Sequence, residues 1–197
     1  RPDLVPLEYS RELTKLQDHV PSFPYEEVRT IITEELGESP EELFAHFETE
    51  PLAAASIGQV HRARLADGDE VVVKVQRPGI RKIVEVDLEI LLHLASLMER
   101  HVEEMEVQRP TRIVEEFARS LEKEIDYTIE AYQTERFSRQ FLGEHTIYVP
   151  KIYREFNSSR VLTIEYIEGN KVTDFEALEE NGCNLHTLAE NGIDLVM

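Results

Sequence analysis

Asp67-Gly68 lies between two runs in which apolar and polar residues alternate, and this feature restricts the fold more than any other in the chain. Asp-Gly is a preferred pair for the tight turn of a β-hairpin, because glycine readily adopts the backbone conformation that the turn requires. Alternation at every second residue is typical of a strand with one buried face. The pattern therefore predicts a β-hairpin from Ile57 to Gln76.

The second strand of this hairpin carries a lysine among apolar residues. Its valines at positions 71, 73 and 75 are expected on one face, whereas Val72, Lys74 and Gln76 share the other. A lysine at this position faces either solvent at the edge of a sheet or a cleft. In a cleft, any of several acidic residues between 112 and 130 could pair with it, and the pattern alone does not choose among them.

Two helices are predicted before the hairpin. Residues 25–36 place four apolar side chains on one helical face, and Gly37 supplies a stop. Ser39-Pro40-Glu41-Glu42 has the residue types of a capping box with proline at the first helical position, which predicts a short helix through Phe44 and Phe47. The four apolar residues of the first helix are Val28, Ile31, Ile32 and Leu36.

Helices and strands also alternate after the hairpin. The pattern predicts a long helix from Ile80 to Val102, buried along one stripe, and a second long helix that includes residues 113–125. Residues 147–156 and 160–167 are predicted to form another hairpin, and a last helical segment begins at about Asn184. Paired strands separated by helices favour an α+β fold with an antiparallel sheet over a doubly wound parallel one.

The composition is that of an acidic globular protein. Hydrophobic residues make up 41% of the chain, and 40 acidic against 21 basic residues give a formal net charge of −19. A nucleic-acid surface needs clustered Lys and Arg, so the charge argues against nucleic acid as a partner. Cys183 is the single cysteine, which fits a reducing compartment, and the spacing of Cys and His matches no metal site.

The two ends of the sequence suggest a piece of a longer protein. The chain starts at Arg1 without a methionine and stops at Met197 within an apolar pattern. We therefore expect segments beyond this span to belong to the same protein.

No apolar run in this sequence approaches the roughly 20 residues that a membrane-spanning helix needs.

The segment before the hairpin has the spacing of a nucleotide loop. Ala53-x-Ala55-x-x-Gly58-x-Val60 has the frame of the kinase loop G-x-G-x-x-G-x-V, and Lys74 follows where kinases have a phosphate-binding lysine. Only the third glycine is kept, and alanine methyl groups hinder the closest approach of a phosphate. The residues fit either a stiffer phosphate loop or an ordinary hairpin with a small-residue entry.

Four segments together resemble the UbiB family of atypical, protein-kinase-like proteins. They are PLAAASIGQVHRARL, VVVKVQRPGI, EEFARSLEKEIDYTIEA and YVPKIYREFNSSRVLTIEYIEG, and the resemblance covers essentially the whole chain. It implies an N-terminal helical extension over residues 1–50, a kinase-like N-lobe with an antiparallel sheet and long helices over 51–168, and the start of a C-lobe over 169–197. Arg1-Pro2-Asp3 resembles the segment that follows the family's KxGQ helix.

The resemblance also implies roles for individual residues. Lys74 corresponds to the lysine that contacts ATP, Glu124 to the glutamate that pairs with it, and Asp126 to a polar active-site residue of the family's ExD motif. These three are the predicted catalytic residues. The family's alanine-rich loop, which replaces the glycine loop, corresponds to Ala53, Ala54, Ala55, Ser56, Gly58 and Val60.

An adenine site is implied at the second predicted hairpin. Glu165 and Ile167 would bind the adenine edge through their backbone C=O and N–H groups, with Ile164 as gatekeeper. Val60 and Val72 would hold the adenine ring between them.

The function that the resemblance implies is the ATP-binding part of a UbiB-type kinase or ATPase that supports ubiquinone or isoprenoid-quinone biosynthesis. It would use ATP and Mg²⁺, with the catalytic aspartate and metal ligands downstream of residue 197, and would act on a small or lipid substrate such as an isoprenoid or quinone precursor. The N-terminal extension would lie over the active site and exclude protein substrates. A cytoplasmic location is expected, and attachment at the inner membrane of a bacterium stays open.

Two alternatives come from other functional classes. One is a non-catalytic pseudokinase that acts as a scaffold for a lipid biosynthetic complex. The other is an acidic α+β domain that binds a partner through a helical face and takes no nucleotide.

Overall fold

The structure is a computed structural model, which describes residue 9 and residues 20–101, 109–144 and 146–196. Arg1-Pro2-Asp3, which resembles the segment after the KxGQ helix, and Val102, the predicted end of the long helix, lie outside this part.

Helices and short strands alternate along the chain. The helices are α1 (Tyr25–Leu36), α2 (Pro40–Leu43), α3 (Ile80–His101), α4 (Pro110–Glu124), α5 (Tyr127–Gln140), α6 (Phe175–Glu180) and α7 (Leu185–Val196). The strands are β1 (His46–Phe47), β2 (Ala53–Ala54), β3 (Gly58–Arg64), β4 (Glu70–Gln76) and β5 (Val161–Glu165).

The strands form one antiparallel sheet in which β3 and β4 are the central pair. The order is β1, β3, β4, β5, and the short β2 pairs with β3 beside β1. Val60 on β3, Lys74 on β4 and Leu162 on β5 lie opposite one another, so their side chains emerge on the same face. The predicted hairpin is confirmed, as is the α+β class with an antiparallel sheet.

The core lies on the other face of the sheet. Val71, Val73 and Val75 on β4 are fully buried and belong to one apolar cluster with α1, whose residues Val28 and Ile32 are also fully buried. Gly37 ends α1 in a left-handed conformation with φ 87°, as the sequence predicts.

Two buried polar side chains lie within this core face. Gln59 donates to the backbone O of Phe23 and accepts from its N–H at 2.9 Å, which ties the segment before α1 to β3. The Nδ1 of His61 lies 2.8 Å from the carbonyl oxygen of Glu48 and its Nε2 lies 2.9 Å from Nε2 of Gln59. A carbonyl oxygen only accepts, so Nδ1 carries the proton and neutral Nε2 accepts from Gln59.

The short predicted helix ends earlier than expected. The capping box at Ser39 is present, but α2 stops at Leu43 and Phe47 lies in β1. Phe44 is extended and buried, and its ring centroid lies 5.5 Å from those of Phe47 and Phe156. Aromatic packing against the sheet therefore overrides the helical pattern.

The second predicted hairpin is also incomplete. Strand β5 forms, but residues 147–156 contribute a single bridge, between Ile152 and Ile164, followed by a 3₁₀ turn over Arg154–Phe156. Pro150 has no N–H to give to a ladder, which limits pairing along this segment.

The predicted burial of the long helix is wrong. Helix α3 forms, but Ile83, Leu91 and Met98 of its predicted apolar stripe are exposed, and Ala95 is its buried residue in the described part. Amphipathic periodicity shows which face could be covered, and it does not supply the covering element.

The last helix forms close to its predicted start, as α7 from Leu185. Helix α6 precedes it and was not predicted; Asp174 caps it by accepting from the N–H of Ala177. Among the helices of the described residues, none has the length and apolarity to span a bilayer.

Candidate functional site

Lys74 forms an ion pair with Glu130 across the face of the sheet that is opposite the core. The Nζ of Lys74 donates to Oε2 of Glu130 at 2.7 Å and lies 4.7 Å from the centroid of the Tyr127 ring. The side chains of Lys74 and Glu130 are 35% and 44% exposed, so both charges remain open to solvent on one side. The predicted lysine therefore faces a cleft and has an acidic partner.

Helix α5 brings Glu130 to this position because its first turn is fixed. Asp126 is the N-cap, and its Oδ1 accepts from the N–H and the hydroxyl of Thr128 at 3.0 and 2.6 Å. The side chain of Gln76 donates to the Ile125 carbonyl at 2.7 Å, which joins the start of α5 to β4. Glu130 then follows one turn into the helix.

The sequence-based pairing of Lys74 with Glu124 is wrong. Glu124 is the last residue of α4, and the helical course breaks between Glu124 and Tyr127, so Glu124 and Glu130 lie on two separate helices. Asp126 acts as a helix cap, and its predicted role in catalysis stays a prediction. The missed signal was Asp126 followed by Thr128, a capping pattern that starts a new helix and sets Glu130 on the face of Tyr127.

A polar cavity of about 380 Å³ lies beside the ion pair. It is formed by the end of α4, the first turns of α5 and β4. Glu124 lines it without bonding to Lys74 in this arrangement. The lining residues are Lys74, Ser120, Lys123, Glu124, Ile129, Glu130 and Gln133.

The alanine-rich loop lies on the other side of Lys74. Ala53 pairs with Val60, and the N–H of Ala55 donates to the Gly58 carbonyl at 2.8 Å, which closes a tight turn. A second, smaller cavity of about 170 Å³ is lined by residues 53–58, Val60 and Lys74. The structure thus brings all the predicted loop residues and the predicted lysine together.

Gly58 is required by packing. A Cβ atom at this position would lie 2.6 Å from the hydroxyl of Tyr127 and even closer to the carbonyl oxygen of Val75. Tyr127 is 1% exposed, and burial raises the pKa of its phenol. Its hydroxyl has no hydrogen-bond partner among the described residues. A larger residue at position 58 would therefore clash with Tyr127 on α5, the helix that carries Glu130.

Three of the predicted adenine-binding residues, Val60, Val72 and Ile164, share the face of Lys74. Val72 lies opposite Ile164 in the sheet, in the same register that sets Val60 opposite Lys74. Glu165 is the last residue of β5, and Ile167 is 45% exposed just beyond it.

The side chain of Glu165 is bound away from this face. Its carboxylate accepts from the Tyr148 hydroxyl at 2.6 Å and from the Lys151 N–H at 3.0 Å. Donating its hydrogen bond to the Glu165 carboxylate raises the pKa of Tyr148. The segment after β5 is thereby anchored to the segment around Pro150.

The predicted position of the N-terminal extension over the active site is wrong for its described helices. Helix α1 packs on the valine face of the sheet, which is opposite the face of Lys74. Its buried side chains Val28, Ile31 and Ile32 complete the core and do not cover either cavity. Apolar periodicity made α1 part of the core.

The described residues hold no group of three or more His, Cys, Asp or Glu side chains that could bind a metal ion. The residues around Lys74 do suit a phosphate ester, because they combine a lysine, a small-residue turn and a flanking apolar face.

Comparison with known proteins places the geometry in context. The family model described as 'ABC1 atypical kinase-like domain' matches residues 15–197 of this chain. An uncharacterized protein of Synechocystis is 44% identical over 192 residues, which make up 98% of this chain and 33% of that protein. A probable protein kinase UbiB of Marinobacter nauticus is 39% identical over 195 residues, 99% of this chain and 36% of that protein. The chain spans about a third of the length of these relatives.

A solved structure is also similar. In the complex of Rv3197 with erythromycin from Mycobacterium tuberculosis, the protein chain matches with a TM-score of 0.68 and 30% sequence identity. The match covers 88% of the present chain and 42% of that chain.

Proposed function

We propose that this chain is the ATP-binding part of an atypical kinase or ATPase. It belongs to the family of ABC1 atypical kinase-like domains and has a kinase-like α+β fold. The observation that carries the proposal is the pair of Lys74 and Glu130 beside the alanine-rich loop. A strand lysine held by a helix glutamate is the arrangement with which kinases bind the α- and β-phosphates.

The roles of the charged residues follow from this arrangement. The ammonium group of Lys74 neutralises phosphate charge, and Glu130 holds it at the boundary between the two cavities. Phosphoryl transfer depends mainly on positioning and on charge neutralisation, so a lysine fixed in this way serves either kinase or ATPase chemistry. The Mg²⁺ that accompanies ATP in such chemistry would add to the neutralisation of phosphate charge.

The adenine would lie against the apolar part of the same face. Val60 and Val72 supply the surface for the ring, and Ile164 closes its inner end. The backbone C=O of Glu165 and N–H of Ile167 would bind the adenine edge.

The physiological role is proposed from the relatives. Several are named UbiB, and the support of ubiquinone or isoprenoid-quinone biosynthesis is the role we propose for the whole protein, with a small or lipid molecule as substrate. A cytoplasmic location at the face of a bacterial inner membrane would bring the site to such a lipid.

A second candidate, a pseudokinase scaffold, is favoured by one observation. The cavity under the alanine-rich loop is about 170 Å³ and is lined mainly by methyl and methylene groups, which leaves little room for a triphosphate. Nucleotide would then act as a structural ligand, and phosphoryl transfer would be absent.

Binding of Mg-ATP and Mg-ADP to the chain, measured by isothermal titration calorimetry, tests the proposal. We expect Lys74→Met to weaken both by roughly tenfold or more, the loss of one charge-assisted contact to phosphate. Lys82→Met, which removes an exposed lysine near the start of α3, is the matched control. The proposal fails if the unaltered protein binds neither nucleotide, or if both variants bind like it.

A further inference from the structure

Arg77 binds the alanine-rich loop from behind. It follows the last residue of β4, and its Nε donates to the Ser56 carbonyl at 3.2 Å, while one terminal nitrogen donates to the Ala55 carbonyl at 3.2 Å and to the Pro21 carbonyl at 2.9 Å. Its own N–H donates to the Ile57 carbonyl at 2.7 Å. One residue thus holds three consecutive carbonyl groups of the loop.

These bonds fix the direction of the loop's amide groups. In a trans peptide, the C=O of one residue and the N–H of the next point in opposite directions, and no described peptide is cis. With the carbonyls of Ala55 and Ser56 turned towards the guanidinium, the N–H groups of Ser56 and Ile57 point away from it.

The cavity lies on the side to which these amides point. Arg77 approaches from the core side of the sheet, where its guanidinium lies 5.3 Å from the ring centroid of Phe23. Lys74 emerges on the opposite side and lines the small cavity together with the loop. Successive N–H groups that converge with a lysine form a site for an anion.

We propose that Arg77 is a positioning residue for phosphate binding: it holds the carbonyls of the loop so that the amides of Ser56 and Ile57 face the phosphates beside Lys74. This inference rests on the proposed nucleotide site and assigns a function to a residue that does not touch the nucleotide. Alanine side chains form no hydrogen bonds, so the side-chain bonds to the carbonyls of Ala55 and Ser56 come from Arg77.

The brace also reaches the segment before α1. Arg77 bonds to Pro21, and Gln59 holds the backbone of Phe23 at both its N–H and its carbonyl. The loop, β3 and residues 21–23 therefore form one connected unit. A shift of the backbone at residues 21–23 would therefore change the orientation of the loop's amides.

The test compares ligands with and without phosphate on Arg77→Lys, Arg77→Met and the unaltered protein. Lysine keeps the charge but offers a single nitrogen, which does not span three carbonyls. We expect both variants to bind ADP roughly tenfold more weakly, the loss of charge-assisted hydrogen bonds, and to bind adenosine unchanged. Hydrogen exchange at the Ala55 N–H, which donates to the Gly58 carbonyl, should become faster in both variants. Arg81→Met, with the same charge change on exposed α3, is the control and should behave like the unaltered protein.

Three outcomes would overturn the inference while leaving the proposed function intact. They are ADP affinity that is unchanged in both Arg77 variants, full affinity in the lysine variant with loss only in the methionine variant, and equal loss for ADP and adenosine. The second would show that charge alone matters, and the third that the sheet as a whole is damaged. If the unaltered protein binds neither ADP nor adenosine, the proposed function falls and this inference with it.

Discussion

Lys74 on β4 reaches Glu130 on α5 across 2.7 Å, and this bond joins the sheet to the helix that begins at Asp126. We predict that Glu130→Gln weakens ATP binding by roughly tenfold, since an amide holds the ammonium group less firmly than a carboxylate. The same change should cost less than about 1 kcal/mol of unfolding free energy, because both side chains are partly exposed.

Glu124→Gln is the matched control for this prediction. It neutralises an acid in the same cavity that does not bond to Lys74 in the structure. Calorimetric titration of the two variants separates the roles. An equal loss of affinity in both would contradict the assignment of Glu130 as the specific partner.

Asp126 offers a test that separates capping from catalysis. Asp126→Ala should lower the unfolding free energy by about 1 kcal/mol, and Asp126→Asn should restore most of it because asparagine also caps helices. Urea denaturation measures both. If Asp126→Asn is as stable as the parent but has lost nucleotide affinity, then Asp126 has the site role that the ExD motif implies.

Gly58→Ala should destabilise the fold by about 1–3 kcal/mol, as expected for overpacking a tight contact. Tyr127→Phe removes one of the three atoms that the new methyl group would meet, a buried hydroxyl oxygen that has no partner among the described residues. We therefore expect Tyr127→Phe alone to be close to neutral and to offset part of the cost in the double variant. Additive effects in the double-mutant cycle would refute the contact.

Replacing an alanine of the loop by glycine should change nucleotide binding. Ala55→Gly loosens the turn closed by the bond from Ala55 N–H to the Gly58 carbonyl, and Ala54→Gly loosens the short strand β2. Affinities for ATP and ADP, and their ratio, are the measurement. Unchanged binding of both nucleotides would count against a loop that lies over the phosphates.

His61 makes stability depend on pH. Burial lowers the pKa of His61, outweighing the opposite effects of the Glu48 carbonyl and of the Glu50 and Glu48 charges. Below the ordinary histidine pKa of about 6.5, the unfolded chain binds a proton on His61 that the folded chain does not bind. The contribution of His61 to the unfolding free energy is therefore complete above that pKa and is lost as the pH falls below it.

The prediction is checked by urea denaturation between neutral and mildly acidic pH. The unfolding free energy of the parent should fall on acidification more steeply than that of His61→Gln, which does not titrate. A parallel pH dependence in the parent and His61→Gln would refute the assignment.

Local sequence signals predicted the hairpin, because Asp67-Gly68 and the alternating valines act over short distances and require no partner. They also placed the alanine-rich loop next to Lys74. They missed the bond to Glu130, since that contact joins residues far apart in the sequence and depends on where α5 begins. Motif resemblance favoured Glu124, and only the orientation of two separate helices decides between the acids.

The buried pair of Gln59 and His61 was missed for a different reason. An alternating strand pattern counts polar residues as facing solvent, whereas these two are satisfied by backbone groups of Phe23 and Glu48 and therefore lie in the core. The stripe on α3 shows the opposite error. An apolar face shows what a helix can bury, and among the described residues of this stripe only Ala95 is buried.

Gly58 divides the alanine-rich loop into two kinds of position for anyone who redesigns it. The space that its missing side chain would fill is occupied by Tyr127 and by the backbone of β4, so this position has no freedom to vary. The alanines at 53–55 have methyl groups that border an open cavity, where a larger side chain would leave less room for a ligand. Ligand preference could thus be re-engineered at residues 53–55, whereas Gly58 has to be retained because the packing of α5 against β4 depends on it.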